Sequence, residues 1–251
     1  MKKFIFTLLI TLFLFPVFAK QSDLQYYKPI YIIGGNADDQ VKIQLSFKYS
    51  LFDFNKQNSL YFAYSQYMFW DLYKASSPFR EINYNPEIFY QITTPISHID
   101  FIQVSPFEHI SNGRDKEESR GVNNLYSEIQ TSTQTKINIG LCAKIFYSYM
   151  RSSKNEDIQR FSGNNSIKLF IQLLGDKKEF YTDKEELYFK ISSFAWNKIS
   201  LCNYEVGLKF RIISDVIAPY FFINFYKGYA ESLIDYNKKD TAIRAGILLN
   251  Y

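Results

Sequence analysis

His109 and Ser111 stand two residues apart in the run Ile99-Asp-Phe-Ile-Gln-Val-Ser-Pro-Phe-Glu-His-Ile-Ser111. On a β-strand both side chains project to one face, with Cα atoms about 6.5 Å apart. An imidazole and a hydroxyl so placed can share a hydrogen bond. The chain continues as Asn112-Gly-Arg114, crosses an acidic stretch and resumes at Gly121-Val-Asn123-Asn-Leu-Tyr126. If this connection folds the next strand back antiparallel, the Asn123 amide oxygen comes within reach of the far imidazole nitrogen. Those three residue types fit acyl-transfer chemistry, with Ser111 as nucleophile, His109 as general base and Asn123 fixing the tautomer of the ring. A lone His-x-Ser equally describes two satisfied polar side chains on a sheet. The second of the two histidines, His98, lies between Ser97 and Ile99 and reads as a solvated turn residue.

The elements that must carry this constellation show a period of two almost everywhere. From Val41 to Leu51 every odd position is apolar and every even one polar, which puts one face in an apolar medium and the other in a wet one. The pattern recurs through Ile137–Tyr149, Ile167–Leu173, Tyr204–Ile212 and Ile243–Tyr251. Alternation or aromatic β-propensity marks strands near 28–34, 41–51, 59–70, 83–93, 99–111, 122–134, 137–149, 163–174, 186–196, 200–212, 217–229 and 241–251. Twelve segments of about ten residues each are what a closed antiparallel transmembrane barrel needs, since lipid cannot hydrogen-bond an open edge. Short connections (134–136, 213–216) alternate with long polar ones (71–82, 112–121, 150–162, 230–240), which places the long loops at one end. At this strand number the lumen is narrow, so inward Lys, Arg, Glu and Asn must satisfy one another.

Composition agrees. The 251 residues include 24 Phe, 21 Tyr and 2 Trp against 10 Gly and 7 Pro, an aromatic excess that a barrel uses for its interfacial girdles and a soluble β-sandwich does not explain. Mean hydropathy is −0.22, and beyond the N-terminus no apolar stretch approaches the roughly 18 residues of a membrane-spanning helix. A formal net charge of +4, dispersed along the chain, gives no footprint for nucleic acid. Two cysteines, Cys142 and Cys202, exclude a disulfide scaffold and are expected as free thiols far apart around the barrel. Trp70 and Trp196 read as girdle residues. Lys2-Lys3, the apolar block Phe4–Phe15 and small residues at Val17 and Ala19 form a secretory signal peptide, so residues 1–19 are expected to be removed and 20–251 to form one barrel domain.

The block His109-Ile-Ser-Asn-Gly-Arg114, Ser119-Arg120, Asn123-Asn-Leu-Tyr126 closely resembles the active-site segment of the outer-membrane phospholipase A family. Ser76-Ser-Pro-Phe-Arg-Glu-Ile-Asn-Tyr84 with Pro86, and Gly228-Tyr-Ala-Glu-Ser-Leu-Ile-Asp-Tyr-Asn237, resemble two further family segments, so the likeness covers about 28–251. The resemblance implies a twelve-stranded outer-membrane barrel with a Ser-His-Asn triad on its outer wall. Here that triad is Ser111, His109 and Asn123. Parity agrees, because Phe107 shares a face with His109, and Leu125 and Ile129 share one with Asn123.

The resemblance also implies calcium, held by the Ser119 hydroxyl, the Arg114 carbonyl and a carbonyl from Ser76 of a second subunit, with the Gly113 amide completing an oxyanion site. Activity is then coupled to homodimerisation. Gln66, which shares the parity of Leu60, Phe62 and Tyr64, matches a family glutamine that makes a polar contact across the dimer interface; an amide near headgroup water is the other reading of that position. Where the family has Ser-Asp-Pro-Thr, this chain has Asp115-Lys-Glu-Glu118. These acids either replace the family's carboxylate or form a solvated charge run.

The implied activity is calcium-dependent hydrolysis of phospholipid and lysophospholipid acyl esters. The competing class is a non-catalytic outer-membrane barrel, a small channel or an adhesin, that keeps the fold. Against it, none of His109, Ser111, Asn123 or Ser119 is missing.

Overall fold

The computed structural model describes residues 24–35, 40–94, 98–177, 182–193, 201–211 and 219–249. They form thirteen antiparallel strands: β1 (Leu24–Tyr26), β2 (Ile30–Gly35), β3 (Gln40–Asn55), β4 (Asn58–Asp71), β5 (Phe79–Ile92), β6 (Ile99–Ser111), β7 (Gly121–Ser132), β8 (Ile137–Tyr149), β9 (Asn165–Lys177), β10 (Thr182–Ser192), β11 (Asn203–Phe210), β12 (Tyr220–Gly228) and β13 (Asp240–Leu249). Each strand from β2 to β13 pairs with its sequence neighbours, and β13 pairs with β2. The result is a closed barrel of twelve staves. Closure leaves no unpaired edge, which is the condition for a sheet in lipid.

The expected first strand (28–34) begins at Ile30, and a separate short strand precedes it. β1 pairs with the middle of β3 (Leu24↔Tyr49, Tyr26↔Phe47) and β2 with its first residues (Tyr31↔Gln44, Gly34↔Val41). Between them Ser46 Oγ accepts from the Lys28 amide at 3.1 Å and Gln44 Nε2 donates to the Pro29 carbonyl at 2.7 Å, so side chains replace the lost ladder bonds. The β3–β4 hairpin runs further than expected, to a turn at 56–57, because bulges at Ser50/Phe52 and Asp53/Asn55 break the alternation without breaking the pairing. β10 lies about four residues N-terminal of the expected 186–196, at Thr182–Ser192. The proposed signal peptide, Trp196 and Tyr251 lie outside the described residues.

The barrel is apolar outside and polar inside. Ile137, Ile139, Ile145, Leu169, Ile171 and Leu173 stand exposed on adjacent staves, a contiguous apolar belt of the kind that lipid covers. Inward positions pair with one another, as the narrow lumen requires. Glu87, with no exposed surface, accepts from Tyr126 Oη at 2.7 Å, Lys28 Nζ at 2.9 Å and Tyr27 Oη at 3.2 Å. Glu108 binds Lys144 and Asn124, and Glu186 binds Lys168 and Gln172. Tyr61, Phe89 and Tyr126 fill the space between these groups.

The long connections sit at one end, here the loop end. The 150–164 and 229–239 loops fold over its mouth, where Ile158, Leu233 and Tyr236 bury Val122 at the start of β7. Glu231 reaches back inside to Lys42 (3.0 Å) and Arg244 (2.7 Å). Both cysteines are free; Cys142 lies on β8 and Cys202 is buried just before β11.

Candidate active site

The candidate catalytic residues sit at the loop end of β6 and β7, and a single irregularity decides which way they face. Gln103 and Ser105 point inward on β6, so strict alternation would send His109 and Ser111 into the lumen as well. Pro106 prevents this. It has no N–H to give to a ladder, and between Ser105↔Tyr126 and Glu108↔Asn124 the β6–β7 register shifts, leaving Pro106 and Phe107 bulged outward. Beyond the bulge Glu108 is buried, while His109 and Ser111 face the outer wall. The bulge is why the sequence-derived parity of Phe107 with His109 is right although the strand does not alternate throughout.

His109 is the cross-strand partner of Asn123, and Ser111 that of Gly121. His109 Nδ1 lies 2.8 Å from Asn123 Oδ1. An amide oxygen only accepts, so Nδ1 carries the proton and the Nε2 lone pair is left free to take another. Phe107 lies parallel to the imidazole, with ring centroids 6.3 Å apart at 5°, and Leu125 is exposed one row below Asn123. Ser111 and the imidazole form no hydrogen bond here, unlike the shared bond the spacing allows. Such contacts are commonly open in a free enzyme and close when substrate docks.

The loop after Ser111 is held by one buried amide. Asn112 Nδ2 donates to the Glu118 carbonyl (2.8 Å), and its Oδ1 accepts from the amides of Arg120 (3.0 Å) and Arg114 (3.3 Å). Gly113 has φ +61°, and a Cβ there would sit 2.8 Å from Cε2 of Tyr84, the β5 partner of Ser111. Glycine is therefore required on both conformational and steric grounds.

The acidic run is largely engaged. Glu118 pairs with Arg114, and Glu117 pairs with Lys154 at 2.6 Å, whose hydrogen bond and charge hold the Glu117 carboxyl below its ordinary range. Asp115 stands in extended conformation before the Lys116–Glu118 turn. Among the described residues no cluster of three His, Cys, Asp or Glu side chains could hold a metal. The loop instead offers the Ser119 hydroxyl and the Arg114 carbonyl, neither engaged in a hydrogen bond among the described residues. Uncharged hard oxygens suit calcium or magnesium rather than zinc, and two of them leave a coordination sphere incomplete without outside donors.

Ser76 is exposed on the β4–β5 loop with φ +63°, at the same end of the barrel. Gln66 lies on the outer face of β4, where Tyr64 Oη donates to its Oε1 at 2.7 Å. His98 is exposed at the opposite end, and Trp70 closes the β4–β5 loop through Nε1 to the Ser77 carbonyl at 2.9 Å. Sequence reasoning assigned no role to Asn112 or Tyr84. Asn112 lay inside the motif, and the mid-strand Pro106 was the available sign of the bulge.

Residues 13–249 match the family model described as phospholipase A1. Phospholipase A1 of Klebsiella pneumoniae is 31% identical over 220 residues, 84% of this chain and 71% of that protein. The crystal structure of the Salmonella typhi outer membrane phospholipase dimer with bound calcium superposes with a TM-score of 0.77 at 27% identity, covering 90% of this chain and 92% of that one. An Escherichia coli outer membrane phospholipase A carrying an active-site Asn-to-Ala mutation superposes with a TM-score of 0.76 at 27% identity, over 90% of this chain and 91% of that one. A family match across nearly the whole barrel, with the His, Ser and Asn of its loop end set side by side on the outer wall, leads to one conclusion: the chain belongs to the phospholipase A1 family.

Proposed function

We propose that this protein is a calcium-dependent serine esterase of the bacterial outer membrane, cleaving acyl esters of phospholipids and lysophospholipids in the outer leaflet as a homodimer. The observation that carries the reading is the His109–Asn123 hydrogen bond beside Ser111 on the outward wall. A lipid ester reaches that wall by lateral diffusion in the bilayer, and the lumen is filled by paired side chains, which speaks against a channel. Export uses residues 1–19 as a cleaved signal peptide and leaves 20–251 as the barrel.

In the proposed mechanism Ser111 Oγ attacks the acyl carbonyl carbon while His109 Nε2 takes the hydroxyl proton. The same nitrogen protonates the departing alkoxide, leaving Ser111 acylated. Water, deprotonated by Nε2, then attacks the acyl carbon; the acyl–Oγ bond breaks, the fatty acid leaves and Nε2 returns the proton to Ser111 Oγ. Asn123 keeps Nδ1 protonated and the ring oriented through both halves. The Gly113 N–H faces the oxyanion. A neutral amide cannot balance an imidazolium as a carboxylate does, so more of the stabilisation falls to the oxyanion site. Ser119 Oγ and the Arg114 carbonyl would hold the calcium ion, with Ser76 of a second copy as a further donor. When bound, calcium supplies a positive charge that polarises water and stabilises developing negative charge.

The calcium-bound dimer of the Salmonella relative supports the assembly, and the active-site asparagine of the E. coli relative supports the role of Asn123. Gln66 supports it independently. With Oε1 taken by Tyr64, its N–H groups face lipid, a cost that a matching amide on a second copy removes.

An alkyl fluorophosphonate, which phosphonylates activated serines with loss of fluoride, tests the reading. The label is expected on Ser111 by peptide mass spectrometry and absent from His109→Ala. A folded wild-type barrel that never labels would leave a phospholipase-like barrel that binds without catalysis.

A further inference from the structure

The bulge that turns His109 outward leaves polar groups in need of partners. Pro106 has no cross-strand partner in the register of β6 with either neighbour. On the lumen side Ser105 Oγ accepts from the Phe107 amide at 3.2 Å and donates to the Ile88 carbonyl at 2.8 Å. On the outer side Tyr149 Oη donates to the Pro106 carbonyl at 3.0 Å. Tyr149 belongs to β8, where it is the cross-strand partner of Asn123. Since β7 separates β8 from β6, the tyrosine must cross β7 on the outer face, on the turn-end side of Asn123.

We propose that Tyr149 is a positioning residue for the hydrolysis: by latching the Pro106 carbonyl it holds the bulge in the shape that keeps the His109 imidazole against Asn123. The inference rests on the triad reading above. The latch matters because of where it sits. A carbonyl unpaired on a lipid-facing wall has no water to turn to. Without Tyr149 Oη the bulge must relax until that carbonyl finds another donor, and the residues that relax with it are Phe107 and His109. Tyr147, two residues away on the same face, is exposed, pairs with Leu125 and has no such bond.

The test compares Y149F with Y147F in the refolded full-length barrel, with fold read by heat-modifiable migration. Y149F removes one oxygen and is expected to lower kcat by roughly ten- to a hundredfold with little change in KM, the scale of a misplaced catalytic group. Y147F is expected to match wild type. The second readout needs no turnover. The protein has two histidines, so selective 15N-histidine labelling gives two imidazole signals, and His98→Gln assigns them. His109 is expected as the single Nδ1–H tautomer in wild type and as a tautomer mixture in Y149F. If Y149F does not fold, S105A, which frees the same bulge from the lumen side, carries both measurements.

An unchanged kcat with an unchanged His109 tautomer would overturn the proposal, as would equal losses in Y149F and Y147F. Failure of the triad reading looks different: S111A would retain wild-type hydrolysis, while the tautomer comparison would still report whether Tyr149 holds the imidazole.

Discussion

Replacing Gly113 by alanine tests whether the loop after the nucleophile is built around one backbone conformation. At φ +61° an L-residue other than glycine is strained by about 1–2 kcal/mol, and at about 1.36 kcal/mol per decade that penalty alone lowers a rate roughly 5- to 30-fold if the active loop conformer must be repopulated. A steric effect adds to it. The new Cβ would lie 2.8 Å from Tyr84 Cε2, so the ring beside Ser111 has to move. Fatty-acid release from phospholipid–detergent micelles by G113A, against wild type at equal amounts of folded barrel, gives the total. A cycle with Tyr84→Ala separates the parts: with the ring gone the steric part disappears and the conformational 5- to 30-fold remains. Since the loop connects β6 to β7 and is not itself a stave, the unfolding midpoint is expected to move little. G113A with more than half the wild-type rate would refute the argument, since neither the left-handed conformation nor the contact with Tyr84 would then matter to the site.

Ser111→Ala and His109→Ala are expected to abolish hydrolysis while leaving a heat-modifiable barrel, whereas Asn123→Ala is expected to keep measurable residual activity; Asn123→Ala at the full rate would remove that residue from the mechanism. Glu87→Ala strands Lys28 and two tyrosines in the lumen and is expected to cost about 3–5 kcal/mol, the scale for breaking a buried pair from one side, read from urea unfolding in detergent. Burial opposes the charge of Glu231, yet Lys42 and Arg244 hold its pKa down at about 2. A folded-state value below the unfolded one gives stability that is fully present above the ordinary carboxylate range and is lost as pH falls toward 2. The loss between neutral pH and about pH 3 is expected to be on the order of 2 kcal/mol, and Glu231→Gln should lack that component of the pH dependence.

The strands were legible because lipid imposes a simple rule: outward positions apolar, inward ones polar, and every backbone group paired. Val41–Leu51 and Ile137–Tyr149 show that rule directly, and the structure places strands there. The rule fails where side chains substitute for ladder bonds. Nothing in the pattern around Lys28 announces that Ser46 and Gln44 bridge a break. The bulges that extend β3 to Asn55 disturb the alternation itself, so the strand was read as ending at Leu51. At the site, motif and parity single out His109, Ser111 and Asn123, and the structure sets them on the paired strands β6 and β7 with His109 opposite Asn123. The reason they face outward lay in Pro106, whose consequence depends on strands brought together from far along the chain. Tyr149 was legible only as one more aromatic on an alternating strand, since its hydroxyl finds its partner two staves away. The acidic run had two open readings, and Lys154 and Arg114 show two of its members engaged in ion pairs.

The most direct test of the account is fatty-acid release from mixed phospholipid–detergent micelles by the refolded mature protein, with calcium and with chelator, alongside Ser111→Ala. Release that requires both calcium and Ser111 is the predicted result. No release from a folded, dimeric sample, or release indifferent to chelator and to loss of the Ser111 hydroxyl, would contradict it.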